Sequence, residues 1–324
     1  MRLSLRPITA LVAAAFLVQG ATNPVSAQQQ TVRLFVGLPA GGSADILARL
    51  LAEKLQVSLG KNVIVENRPG ASARIAVQTV KASPPDGSAL LVTPGAIVNL
   101  YPHVFKNLGY DSLNDLTPIS KIVTWDFGFA VPAKSQAKTF ADFIKAARAD
   151  AKAAVYGSPS SGSPQHLLGV QMAGLLGVPL QHVWFKGAAD AVNALLSDAV
   201  PSVILGLGDL SQQHKAGQLR VLATFSKERS VLMPEVPTMI ELGYPALHAT
   251  GGVAFYGPGG MSSELSESLS RAVKLALDDP MVRDRILKMN IMPTSSTPRE
   301  LRDYDLGELE RWRDSAKASG FVAD

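Results

Sequence analysis

The chain has 324 residues, 47% of them apolar and 18% charged, a globular composition with enough length for two α/β lobes. Aromatic residues make up only 6%, and no basic block exceeds a few residues, which argues against a nucleic-acid-binding surface. There is no cysteine, so disulfides, thiolate nucleophiles and cysteine metal sites are excluded.

The N-terminus reads as an export signal. Arg2 and Arg6 form a basic start, residues 8–18 form an apolar run, and Val25-Ser26-Ala27 offers small residues for cleavage. Residues 1–27 are therefore expected to be a signal peptide, with a mature start near Gln28. The run is too short to span ~30 Å of hydrocarbon. No cysteine follows it to take a lipid, so the expected destination is the periplasm, free in solution. Without Arg2 and Arg6 the formal charge falls from +4 to about +2.

Short β-type runs then alternate with helical patterns. Residues 31–38 (TVRLFVGL) predict a strand ending in Pro39-Ala40-Gly41-Gly42-Ser43. Ile46, Leu47, Leu50, Leu51 and Leu55 follow at helical spacing. Residues 62–66 (NVIVE) predict a second strand, 75–82 a helix and 89–93 a third strand. This βαβαβ order predicts a parallel sheet wrapped by helices. The pattern restarts with strands at 126–131, 153–156, 183–185, 203–207 and 220–224, and helices at 139–150, 165–176 and 188–197. One more strand is predicted at 251–256, followed by helices at 262–277, 280–288 and 298–319. No flexible linker separates the halves, so lobes joined by crossing strands are expected.

Two strand-to-helix loops stand out, 39–45 and 157–164. Both are rich in Gly and Ser, so the backbone can turn its N–H groups toward a ligand. Each opens a helix whose first amides lack partners and whose dipole is positive, a combination that binds carboxylate or phosphate without Arg or Lys. In the second loop Ser163 is the expected N-cap and Pro164 the first helical residue. One such loop alone is an ordinary glycine turn. A pair at the carboxyl ends of strands, one per lobe, is a candidate binding site. Asp45 either complements the first helix dipole or meets an ordered water or ligand amine. Thr93 ends the third strand on the same edge and offers a hydroxyl, or simply a turn. Trp125 and Trp184 are candidates for pocket walls or core. Lys186 reads as a solvated lysine, and His166 lies just inside the second helix.

Enzyme motifs are missing from the inventory. There is no G-x-S-x-G elbow, since Ser160 is flanked by Ser158 and Gly162, and there is no H-E-x-x-H, phosphate loop or G-x-G-x-x-G. No cofactor or metal is expected. An exported hydrolase using a serine of the 157–164 loop is the alternative. It needs a base, and only His166 is near in sequence.

Over nearly the whole mature chain these residues resemble the Bug family, the receptors of tripartite tricarboxylate transporters. The resemblance is carried by Ala40-Gly41-Gly42-Ser43-Ala44-Asp45 with Ala48-Arg49, and by the V-E-N-R-P-G-A string at 65–71. It continues through Pro85-Asp86-Gly87, Gly157-Ser158, Gly162-Ser163 with His166, Phe185-Lys186-Gly187, and Val236-Pro237-Thr238. It implies an α/β, two-lobed periplasmic-binding-protein fold of the type II, Venus-flytrap kind. Lobe 1 would comprise residues 28–125 and 249–324, and lobe 2 residues 126–248. It also implies a receptor for a small carboxylate, such as a di- or tricarboxylate, an amino acid or an aromatic carboxylate, and a monomer is the default expectation. The partner would be membrane permease subunits or a sensor protein, with no nucleic acid. Carried over by position, the ligand-binding residues are Gly41, Gly42, Ser43, Asp45 and Thr93, then Ser158, Ser161, Gly162, Ser163 and His166. The chain departs from the family pattern at Ala40, Ala44 and Phe185. It departs again after the 65–71 string, where a glycine-rich stretch is replaced by Ser72-Ala73-Arg74-Ile75-Ala76.

Overall fold

The computed structural model describes residues 31–323. The expected signal peptide lies outside them. In the first lobe, β1 (Thr31–Val36), α1 (Ser43–Leu59), β2 (Asn62–Asn67), α2 (Arg74–Lys81) and β3 (Ala89–Pro94) form the expected βαβαβ unit. Strand β1 pairs in parallel with β2 and β3. Two short helices follow, α3 (Ala96–Asn99) and α4 (Tyr101–Val104).

The strand expected at 126–131 is the second half of a much longer one, β4 (Leu116–Pro132). It carries the chain into the second lobe, which contains α5 (Phe140–Ala149), β5 (Val155–Ser158), α6 (Pro164–Leu176), β6 (Gln181–Trp184) and α7 (Ala188–Leu196). Then come β7 (Val203–Gly206), α8 (Leu207–Lys215) and β8 (Leu219–Thr224). The chain returns through β9 (Thr250–Pro258), α9 (Ser263–Asp278), α10 (Pro280–Lys288), β10 (Met292–Pro293) and α11 (Pro298–Ser319).

Strand order is β2-β1-β3-β9-β4-β7-β5-β6, with β10 and β8 each paired to β4. Strand β4 belongs to both lobes. Leu116 to Asp126 pair antiparallel with β9, and from Phe127 onward the partners are β7 and β8. The sheet is therefore mixed. β9 and β4 run against the parallel strands because each re-enters a lobe from the other one.

The inner strands β1 and β3 are buried over most of their length on both faces, as strands covered by helices on both sides must be. Leu34 and Val36 pack with Leu47, Leu51 and Val273 on one face, while Phe35 packs with Val77, Val80 and Tyr256 on the other. The second lobe does the same with Phe129, Phe140, Tyr156 and Leu168 on one face and Val192, Leu195, Val203 and Leu205 on the other. Trp125 touches a core cluster of each lobe at the point where β4 changes partners. Helix α11 straddles the junction, packing on α6 and β4 as well as on α3 and α4. Its start is locked by a reciprocal Thr297–Glu300 capping box.

Candidate functional site

The second loop is built as expected at its helix start. Ser163 caps α6, its Oγ accepting from the His166 N–H at 3.2 Å, and Pro164 is the first helical residue. The rest of the loop is braced from beneath. Ser158 is fully buried and hydrogen-bonds the Ser160 carbonyl at 3.1 Å and His182 Nε2 at 2.8 Å. Ser163 Oγ donates to the same Ser160 carbonyl at 2.8 Å. The Gly162 N–H donates to His166 Nδ1 at 3.0 Å, which leaves the His166 proton on Nε2. His166 and His182 stack with ring centroids 3.9 Å apart and planes 17° from parallel. Burial holds both imidazoles below their ordinary pKa. His182, with His166 as a second cause, is pushed down to about 4. The loop therefore rests on two neutral rings. One proton arrangement satisfies the group: Ser158 donates to the Ser160 carbonyl and accepts from His182 Nε2–H.

The first loop is tied down by Asp45. Its Oδ2 accepts from the Gly41 N–H at 2.9 Å and from Arg49 Nε at 3.0 Å, and Arg49 Nη2 lies 3.0 Å from Oδ1. Arg49 also reaches Asn67 Oδ1 at 3.1 Å, and Asn67 holds the Leu38 carbonyl. Burial opposes ionisation of Asp45, but the Arg49 and Gly41 bonds outweigh it and keep the carboxyl below its usual range. In this structure Asp45 thus fastens its own loop, with Gly41 at φ +83° and the stretch 39–43 exposed. Asp45→Ala is expected to lower unfolding free energy by roughly 1.5–3 kcal/mol, since bonds to a charged group are lost. Urea denaturation measures it, and a loss under about 0.5 kcal/mol would mean that the loop is held some other way.

Across from the second loop stands a turn that the sequence pattern does not reveal. Ala71, Ser72 and Ala73 take φ of 46°, 55° and 70°, left-handed values that cost non-glycine residues roughly 1 kcal/mol or more each. Gly37 permits the close approach, because a Cβ there would stand 2.4 Å from Ala73 Cβ. This turn, Arg74 and Ala96 of the first lobe face Ser160 to Pro164 of the second across a cavity of about 550 Å³. A smaller cavity of about 130 Å³ adjoins it through Ala96 and Pro164 and runs to Trp125 and Trp312 at the junction.

The sequence candidates thus fall into separate groups. Ser161, Gly162 and Ser163 line the larger cavity, while Ser158 and His166 support it from below. Gly41, Gly42, Ser43 and Asp45 do not line it, and neither does Thr93, which is fully buried with an unpartnered Oγ1. Trp125 lines the smaller cavity, whereas Trp184 is 58% exposed on the edge strand β6. Lys186 is solvent-exposed. His182, Arg74 and Phe321 are the residues that sequence reasoning missed. They reach the site from distant parts of the chain, and only Arg74 left a trace, as a departure from the family's glycine-rich stretch. Among the described residues no cluster of His, Cys, Asp or Glu is arranged to hold a metal ion, and no helix is long and apolar enough to cross a membrane.

Two α/β lobes sharing a through-going strand, with a cavity between their loops, define the two-lobed periplasmic-binding-protein fold. The periplasmic binding protein BugD matches it with a TM-score of 0.72 and 25% identity, over 91% of this chain and 99% of that one. A Rhodopseudomonas palustris protein solved with adipate, Rpa4515, matches with a TM-score of 0.75 and 27% identity, over 90% of this chain and 98% of that one. In sequence, the "UPF0065 protein in gbd 5′region" of Cupriavidus necator is 34% identical over 288 residues, 87% of either chain. The model of the tripartite tricarboxylate transporter family receptor matches residues 47–320, and the chain belongs to that family of solute-binding receptors.

Proposed function

We propose that this protein is exported to the periplasm, captures a small carboxylate there between its lobes, and presents it to a membrane permease of the tripartite tricarboxylate type or to a sensory partner. The observation that carries this reading is the second loop, braced on a neutral histidine pair and facing the first lobe across the cavity. Its Gly162 and His166 amides and its Ser158 and Ser163 hydroxyls are bonded within the loop, so the loop's shape is set before a ligand arrives and little ordering cost remains to be met on binding. The start of α6 favours an anion through its helix dipole. The adipate bound by the R. palustris relative supports a carboxylate as the ligand class.

Residues 28–125 with 249–324, and 126–248, would move as the two bodies, hinged where β4 and β9 meet. Closure follows if the ligand gains contacts from the first lobe that the open form does not offer. Gly41, Gly42, Ser43 and Thr93 would join the site in that closed form. The hydrolase alternative is disfavoured by geometry. Ser158 does have a histidine beside it, but it is fully buried and its hydroxyl also faces the Ser160 carbonyl.

A thermal-shift panel of mono-, di- and aromatic carboxylates on the chain from Gln28 tests the reading. A ligand at a hundred times its Kd should add about 2.7 kcal/mol of stability, a shift of roughly 3–6 °C. If no acid in the panel moves the midpoint, the receptor reading fails.

A further inference from the structure

One wall of the larger cavity comes from neither loop. Beyond Gly320, which ends α11, the tail turns back onto the first lobe. The Ala323 N–H donates to the Val104 carbonyl at 2.6 Å, and the Lys106 N–H donates to the Ala323 carbonyl at 3.0 Å. Two residues before Ala323, Phe321 lies on the second lobe. A Cβ on Gly162 would stand 2.2 Å from its ring, and the ring meets His166 edge-on, centroids 6.1 Å apart at 84°. The C-terminus therefore ties the lobes together and leaves a phenyl ring in the space between them.

Phe321 is one of several rings there. Phe105 and Tyr101 line the same cavity with centroids 4.7 Å apart, and the Arg74 guanidinium sits 4.2 Å from the Phe105 centroid. Arg74 is oriented by Nε donating to the Ala71 carbonyl at 2.9 Å and Nη1 donating to the Asn107 carbonyl at 2.8 Å. A cation and a helix N-terminus thus flank a space walled by aromatic rings.

We propose, resting on the receptor reading above, that this wall selects planar aromatic acids. The ligand ring lies among Phe321, Phe105 and Tyr101, and its carboxylate is taken by Arg74. Edge and offset contacts between rings add to simple area burial, and a rigid ring has little freedom to lose. An aliphatic diacid gains neither.

The test is calorimetric titration of the chain from Gln28 with benzoate, 4-hydroxybenzoate, succinate and adipate, repeated on Phe321→Leu and Arg74→Lys. Phe321→Leu keeps an apolar contact on Gly162 and removes the ring. Arg74→Lys keeps the charge and removes the planar fork. Benzoate and 4-hydroxybenzoate should bind the wild type more tightly than the diacids, and each variant should weaken them about tenfold. Binding of succinate or adipate without the aromatic acids overturns this proposal and leaves the receptor reading standing. Unchanged aromatic affinity in both variants overturns it as well. Failure of all four acids removes both.

Discussion

Gly169→Ala is expected to destabilise the protein by roughly 1–3 kcal/mol and to weaken ligand capture with it. Helix propensity alone argues the opposite, because glycine inside a helix costs about 1 kcal/mol relative to alanine. Packing decides the sign. A Cβ on Gly169 would stand 2.0 Å from Cζ of Tyr156 and 2.4 Å from its hydroxyl oxygen. Tyr156 cannot easily withdraw. It is 1% exposed, it packs in the second lobe's core, and its hydroxyl donates to the His166 carbonyl at 2.8 Å. Overpacking of this kind typically costs 1–3 kcal/mol, and loss of the buried hydrogen bond adds about 1 more. The bond also anchors the first turn of α6, so a displaced Tyr156 pulls on the residue that receives the Gly162 N–H. Urea denaturation gives the stability change. A variant as stable as wild type, or more so, would mean that Tyr156 yields without loss and that α6 is not pinned there.

The helices and parallel strands were legible because their signals are local. Apolar residues at helical spacing, capping residues such as Thr139, Ser163 and Thr297, and glycines closing α1 and α6 all act within a turn of the residues they mark. The first half of β4 was missed because Pro118 and Lys121 interrupt its apolar run. They are tolerated where its register against β9 shifts. Helix α8, with His214 and Lys215 in its last turn and exposed positions around Gln212, shows too little apolar periodicity to be read. Within the site, the amide-bearing loop was readable and its supports were not. His182 sits 24 residues from Ser158 in sequence, and Phe321 reaches Gly162 from the end of the chain. No spacing rule connects residues that only the strand order and the path of α11 bring together.

Lowering the pH from 7 to about 4.5 is expected to destabilise Asp305→Asn relative to wild type, because Asp305 and His182 are buried groups that titrate in opposite senses. His182 is pushed by burial, and by its neighbour His166, from its ordinary 6.5 down to about 4. The unfolded chain takes up that proton first, so the contribution of His182 is complete above pH 6.5 and is lost as pH falls toward 4. His166, also lowered by burial, acts in the same direction. Asp305 is pushed by burial from 3.8 up to about 6, although Asn99 and Tyr256 donate to its oxygens at 2.9 Å. The folded state keeps this proton after the unfolded chain has lost it. Its contribution is therefore complete below pH 3.8 and is lost as pH rises through 6. Each difference corresponds to roughly 3 kcal/mol, and the two act in opposite directions in the wild type. Asp305→Asn keeps the shape and removes the titrating proton, which uncovers the histidine loss. Its melting temperature should fall by roughly 3–6 °C more than wild type over that range, while His182→Gln should gain stability as pH drops. Parallel calorimetric scans decide it, and an Asp305→Asn profile that tracks wild type would sink the assignment. His182 lies beneath the ligand loop, whereas Asp305 bonds α11 to Asn99 and Tyr256 of the first lobe. Acid therefore loosens the floor of the site while it tightens the helix that bridges the lobes.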